Sequence, residues 1–180
     1  MKYTLRILVL AMLTASLSSC EGIRSLFDVE IETTIEGDLN FVTDETELKS
    51  TEDVAFNASV TVQVLNEDTY EYEENIKDFM TSDVTVEVLS VDAADVILRS
   101  GSSFTIENAN AGYTWTLTTD WPIEPGMTLP LDAASLDVID DILEDMIPFT
   151  MSTTGTCNKG GVTIGLRYGI ETTAVATPLD

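Results

Sequence analysis

From Val29 onward, apolar and polar residues alternate. Val29, Ile31, Thr33 and Ile35 share one parity, with Glu30, Glu32, Thr34 and Glu36 between them, and the odd positions resume at Leu39 and Phe41 after Gly37. A period of two places alternate side chains on opposite faces of an extended chain, so this stretch predicts a half-buried strand, bulged at Gly37. The cleanest alternation runs through Val54, Phe56, Ala58, Val60, Val62 and Val64, separated from the first by a polar loop over Thr43–Asp53. Further strands are predicted around Val84–Val88, Val96–Leu98, Phe104–Ile106, Tyr113–Leu117, Phe149–Thr156 and Val162–Ile170. Trp121-Pro122 breaks the pattern, and Met127–Leu131 reads as an edge strand because Pro130 lacks a ladder donor.

Two segments follow a helical period instead. Ile76, Phe79 and Met80 sit at spacings of three and four, which predicts one or two helical turns between Glu73 and Met80. Leu136, Ile139, Leu143 and Met146 repeat those spacings from Asp132 to Ile147, with Asp132 or Ser135 as cap and Pro148 as stop. Short strands separated by turn signals, with one strong helix, predict a mainly β fold. The expected architecture is an antiparallel β-sandwich, immunoglobulin-like, with one packed α-helix near residues 133–147.

Composition changes what such a fold can do. The 180 residues hold 32 acidic and 8 basic side chains and no histidine, for a formal charge of −24. That field repels nucleic acid and anionic lipid headgroups, so nucleic-acid binding is excluded. The apolar content of 44% is too high for a disordered acidic tail, so the charge sits on a folded domain. Solubility, adaptation to salty surroundings and divalent-cation binding are the three readings of the acid.

The first residues differ from the rest. Lys2 and Arg6 precede the apolar run Ile7–Leu13, which is too short to cross a bilayer and has the layout of an export signal. Leu17-Ser18-Ser19-Cys20 follows, and it resembles the lipobox of bacterial lipoproteins. The resemblance implies a signal peptide at 1–19, a lipidated tether at 20–27 and a sandwich domain at 28–180. It further implies that Cys20 becomes the first mature residue, acylated on sulfur and amino group. Two or more acyl chains make a stable anchor where one is marginal. Loss of residues 1–19 removes two bases and no acid, taking the charge from −24 to −26. Cys157 would then be unpaired, either a small buried hydrophobe or a thiol in a turn. The segment from Leu136 through Phe149–Thr156 to Val162–Thr173 looks like the C-terminal part of small β-sandwich lipoproteins, many without assigned activity.

Chemistry is sparse. The lack of histidine removes the usual activation of serine or cysteine nucleophiles and the commonest zinc ligand. Neither phosphate-loop glycine motif occurs. Carboxylates are plentiful, and Asp44, Glu45 and Glu47, with Glu67 and Asp68, are the densest loop groups that could offer oxygen ligands to calcium. Among aromatics, Tyr70 and Tyr72 lie in an acidic loop and Trp121 stands beside a proline, which makes these three the candidate binding residues. Tyr113 and Trp115 share a strand face and read as core.

The expectation is a membrane-anchored exported lipoprotein that acts as a non-catalytic binding or structural module at the bacterial envelope. Its partners would be the bilayer, through Cys20, and an envelope protein or glycan. The outer membrane, on its periplasmic or outer face, is the expected location. A carboxylate-based glycan hydrolase and a calcium-dependent adhesion module are the rivals.

Overall fold

The computed structural model describes residues 28–44, 53–131 and 136–178. Among the described residues there are ten strands and one α-helix, and the strands form two antiparallel sheets. Strands β1 (Val29–Val42), β10 (Thr163–Ala176), β3 (Ile76–Val91) and β8 (Thr128–Pro130) form one sheet in that order. The other holds β6 (Gly112–Thr116), β5 (Ser103–Glu107), β9 (Phe149–Cys157), β4 (Val96–Leu98) and β7 (Trp121–Ile123), with β2 (Val54–Val62) on the free side of β9. Helix α1 (Leu136–Glu144) packs against β3.

The period of two explains the core. Ile164, Leu166, Tyr168 and Ile170 on β10 and Val84, Val86 and Val88 on β3 are fully buried. Phe104, Ile106, Phe149 and Met151 meet them from the other sheet, all within 1% of complete burial. Each large apolar side chain so enclosed contributes roughly 1.5–3 kcal/mol. Ile139, Ile142 and Leu143 bring the apolar stripe of α1 into the same core.

Three expectations change. The helical turns predicted at Glu73–Met80 are instead a 3₁₀ turn at Tyr70–Tyr72, and Ile76 already begins β3. Phe79 is buried and Met80 exposed, so strand alternation governs that pair. Trp121 and Pro122 do not end the sheet but form the short edge strand β7, where Pro122 sits opposite Ile97. At Gly37 the β1–β10 register runs unbroken, so there is no bulge. Glycine is needed there because a Cβ would meet Met151 Sδ and come within 2.9 Å of Val62 Cγ2 on the facing sheet.

Helix α1 is observed over Leu136–Glu144, inside the predicted span, and the proposed caps Asp132 and Ser135 fall outside the described residues. Its last turn is closed from β5's end: Asn108 Nδ2 donates to the Ile142 carbonyl at 3.2 Å and to Asp145 Oδ2 at 2.8 Å. Met146 then leaves the helix with φ of 54°, in the left-handed region that side chains other than glycine rarely adopt.

Candidate functional site

Two edge strands, one from each sheet, leave an opening between the layers. β6 is the rim of one sheet and β8 the rim of the other. Strand alternation on β6 puts Tyr113 and Trp115 on one face, and their rings meet edge to face with centroids 4.7 Å apart. Trp115 lies opposite Phe104 on β5. Past the end of β6 the chain is pinned, with Leu117 N–H donating to the Ser102 carbonyl and Gly101 N–H to the Leu117 carbonyl, both at 2.8 Å. From the opposite rim, Leu129 pairs with Val86, and Leu131 N–H donates to the Val84 carbonyl at 2.9 Å.

These six residues, Phe104, Tyr113, Trp115, Leu117, Leu129 and Leu131, line an open cavity of about 460 Å³, with Thr114, Thr116, Thr118 and Thr119 completing it. No carboxylate and no cation lines it. On a chain with 32 acidic side chains, that is a local exception. Phe104 at its floor is fully buried and continues inward to Tyr168 and Trp121, whose ring centroids lie 6.3 and 6.2 Å away. An apolar, aromatic concavity with a few hydroxyls can remove apolar surface of a ligand from water and orient it by hydrogen bonds.

The candidate residues named from sequence do not converge. Trp121 is half-buried against Phe104. Tyr70 is 68% exposed at the start of the 3₁₀ turn, and Tyr72 is half-buried at its end. Of the oxygen-ligand candidates, Glu45 and Glu47 lie outside the described residues. Asp68 Oδ2 accepts the Thr33 hydroxyl at 3.2 Å, and the Asp68 N–H donates to Asn66 Oδ1 in a local turn. Asp44 donates its N–H to the Ala55 carbonyl. Among the described residues no group of three or more carboxylate or thiol side chains is gathered to hold a metal ion. Cys20 also lies outside the described residues. Cys157 is buried and free, its Sγ donating to the Lys159 carbonyl at 3.0 Å, and burial pushes the thiol up from its ordinary value.

Two carboxyl groups do meet directly. Glu144 at the end of α1 is hydrogen-bonded to Asp78 on β3, and this contact holds Glu144 above the usual carboxylate range, with desolvation and the charges of Asp78, Asp141 and Asp140 adding to it. Asp140 is also occupied, accepting the Thr81 N–H at 2.7 Å.

No family model matches the chain, and no curated protein matches it. Solved structures do. Among them are structures from viruses. The decameric BFDV capsid protein aligns with a TM-score of 0.40 at 7% identity, covering 81% of this chain and 99% of that one. The Desmodium yellow mottle tymovirus aligns with a TM-score of 0.34 at 10% identity, covering 83% and 90%. A mud crab tombus-like virus gives a TM-score of 0.35 at 6% identity, covering 84% and 82%. At this level of similarity neither an activity nor an assembly passes to this chain. The neighbours do correct the functional expectation. None of the structures reported is a bacterial lipoprotein, and the expected envelope lipoprotein module, with its hydrolase and calcium-adhesion rivals, is withdrawn.

The mouth between β6 and β8 was hidden in the sequence. Tyr113, Trp115 and Leu117 alternate as any buried strand face does, yet only Trp115 is buried, and Tyr113 and Leu117 are half-buried. Leu129 and Leu131 come from a different sheet, and no local signal joins them to β6.

Proposed function

We propose that this domain takes an apolar ring or chain, uncharged or cationic, into the mouth between β6 and β8. The observation that supports it is the carboxylate-free aromatic cavity in an otherwise acidic chain. Charge selects the class: a formal charge of −24 repels anionic amphiphiles such as fatty acids, and leaves neutral or positively charged ones. Size sets the scale, since a cavity of about 460 Å³ suits a ligand of one or two rings.

Prodan, a neutral, apolar two-ring dye whose emission depends on solvent polarity, is the probe. Its emission should shift to the blue and saturate on titration with the protein. Tyr113→Ser and Leu117→Gln should each weaken binding about tenfold, the loss expected when about 1–2 kcal/mol of apolar contact is removed. Binding unaltered in both variants, with their melting temperatures preserved, sinks the assignment.

A further inference from the structure

Strand β1 has hydrogen-bonded neighbours on one side only. Thr43 N–H donates to the Val162 carbonyl and Gly161 N–H to the Thr43 carbonyl, so the peptide groups of odd-numbered residues face β10. Those of even-numbered residues face away: the Thr34 carbonyl accepts Asn66 Nδ2 at 3.1 Å, and Asp44 N–H donates to the Ala55 carbonyl at 3.3 Å. Between these two points the outward peptide groups of Glu36, Asp38 and Asn40 take no partner among the described residues.

The free edge does not look into open water alone. β2 runs beside it, and Glu36, Gly37 and Asp38 with Val60–Gln63 line a cleft of about 490 Å³. Val60 and Val62 are half-buried there. The side chains that alternate along the outward face of β1 are Glu30, Glu32, Glu36 and Asp38, and Arg167 is the cation that reaches them, bonded to Asp38 and Glu36.

An unpaired edge is a template for another strand, and acidic side chains along it decide which strand is accepted. Residues directly opposite in an added strand stand about 4.5–5.5 Å apart, so like charges are disfavoured and opposite charges favoured. A second copy pairing edge to edge would set Glu and Asp against Glu and Asp. We infer that the β1 edge, with the β2 cleft beside it, accepts an extended, basic segment of another polypeptide by strand addition. Lysine or arginine at alternate positions would meet the acids of β1, and the residues between would cover Val60 and Val62. This surface is separate from the mouth between β6 and β8 and does not depend on it.

The test uses the full chain and a labelled peptide of about eight residues alternating lysine and valine. Fluorescence anisotropy at about 0.15 M salt reads the affinity, with exposed charges screened beyond about 8 Å. The same peptide N-methylated at every second residue keeps its charge but loses the donors on one edge. Strand addition predicts that it binds at least about tenfold more weakly, and that Asn40→Pro, which removes one outward N–H, weakens the parent peptide. Should Asn40→Pro fail to fold, Glu36→Lys serves, with weaker binding of the parent peptide expected. Equal binding of both peptides means that charge alone attracts them, and overturns the inference. So do amide shifts on titration that spare β1 and β2.

Discussion

Tyr168 on β10 donates its hydroxyl to the backbone carbonyl of Ser152 on β9, tying the two sheets together through the middle of the core. The ring is fully buried and stands edge to face against Phe104. Burial pushes the phenol well above its ordinary range, so it stays protonated and donating throughout the working pH range. Removing the hydroxyl alone should cost about 0.5–1.5 kcal/mol, the net worth of a buried hydrogen bond. Denaturant unfolding of Tyr168→Phe is expected to show this loss at an unchanged slope. A variant as stable as the parent would show that the bond contributes nothing.

Gly37 stands where β1 lies against β9 and β2 of the facing sheet. An added methyl meets Met151 Sδ and lies 2.9 and 3.2 Å from methyl carbons of Val62 and Val60. Overpacking of this kind costs about 1–3 kcal/mol. Gly37→Ala should therefore be destabilising, and Val62→Ala in the same chain should return part of the loss. Additive effects in the double variant would show that the two positions do not share one space.

Asp38 and Arg167 face each other across the β1–β10 ladder in a two-pronged contact, 2.7 Å at Nε and 3.0 Å at Nη2. The guanidinium holds the Asp38 carboxyl below its ordinary value of 3.8. A folded value below the unfolded one means the stabilisation is present above pH about 4 and disappears as pH falls through the folded value. Asp38→Asn should lower the melting temperature at pH 7 and low salt. The gap from the parent should close toward pH 2, where a gap of constant size would contradict the assignment.

The Glu144–Asp78 pair has the opposite sign. Asp78 raises Glu144 above its ordinary value of 4.5, so the folded chain holds that proton more tightly than the unfolded chain. Stabilisation from the shared proton is complete below pH about 4.5 and is lost as pH rises through the folded value. Once the shared proton is lost the pair is a like-charge contact and works against the fold. Asp78→Asn should raise the melting temperature at pH 7 and leave little difference at pH 4. A decrease at pH 7 would mean that Asp78 serves another partner.

Local pattern by itself determined much of this protein. Alternation named the faces of β1, β2, β5, β6 and β10, because side-chain direction in a strand depends only on parity. The three-and-four spacing of Leu136, Ile139 and Leu143 located α1 for a similar reason. Tertiary structure decided the rest. Ile76, Phe79 and Met80 have a helical spacing, yet pairing with β10 drew them into β3. Pro122 was admitted to a strand because β7 is an edge and needs no donor on its open side. Gly37 is glycine on account of Met151, more than a hundred residues away in sequence. The mouth between β6 and β8 and the free edge of β1 depend on the order in which strands stack. Strand order is set by long-range pairing, and no window of neighbouring residues carries it.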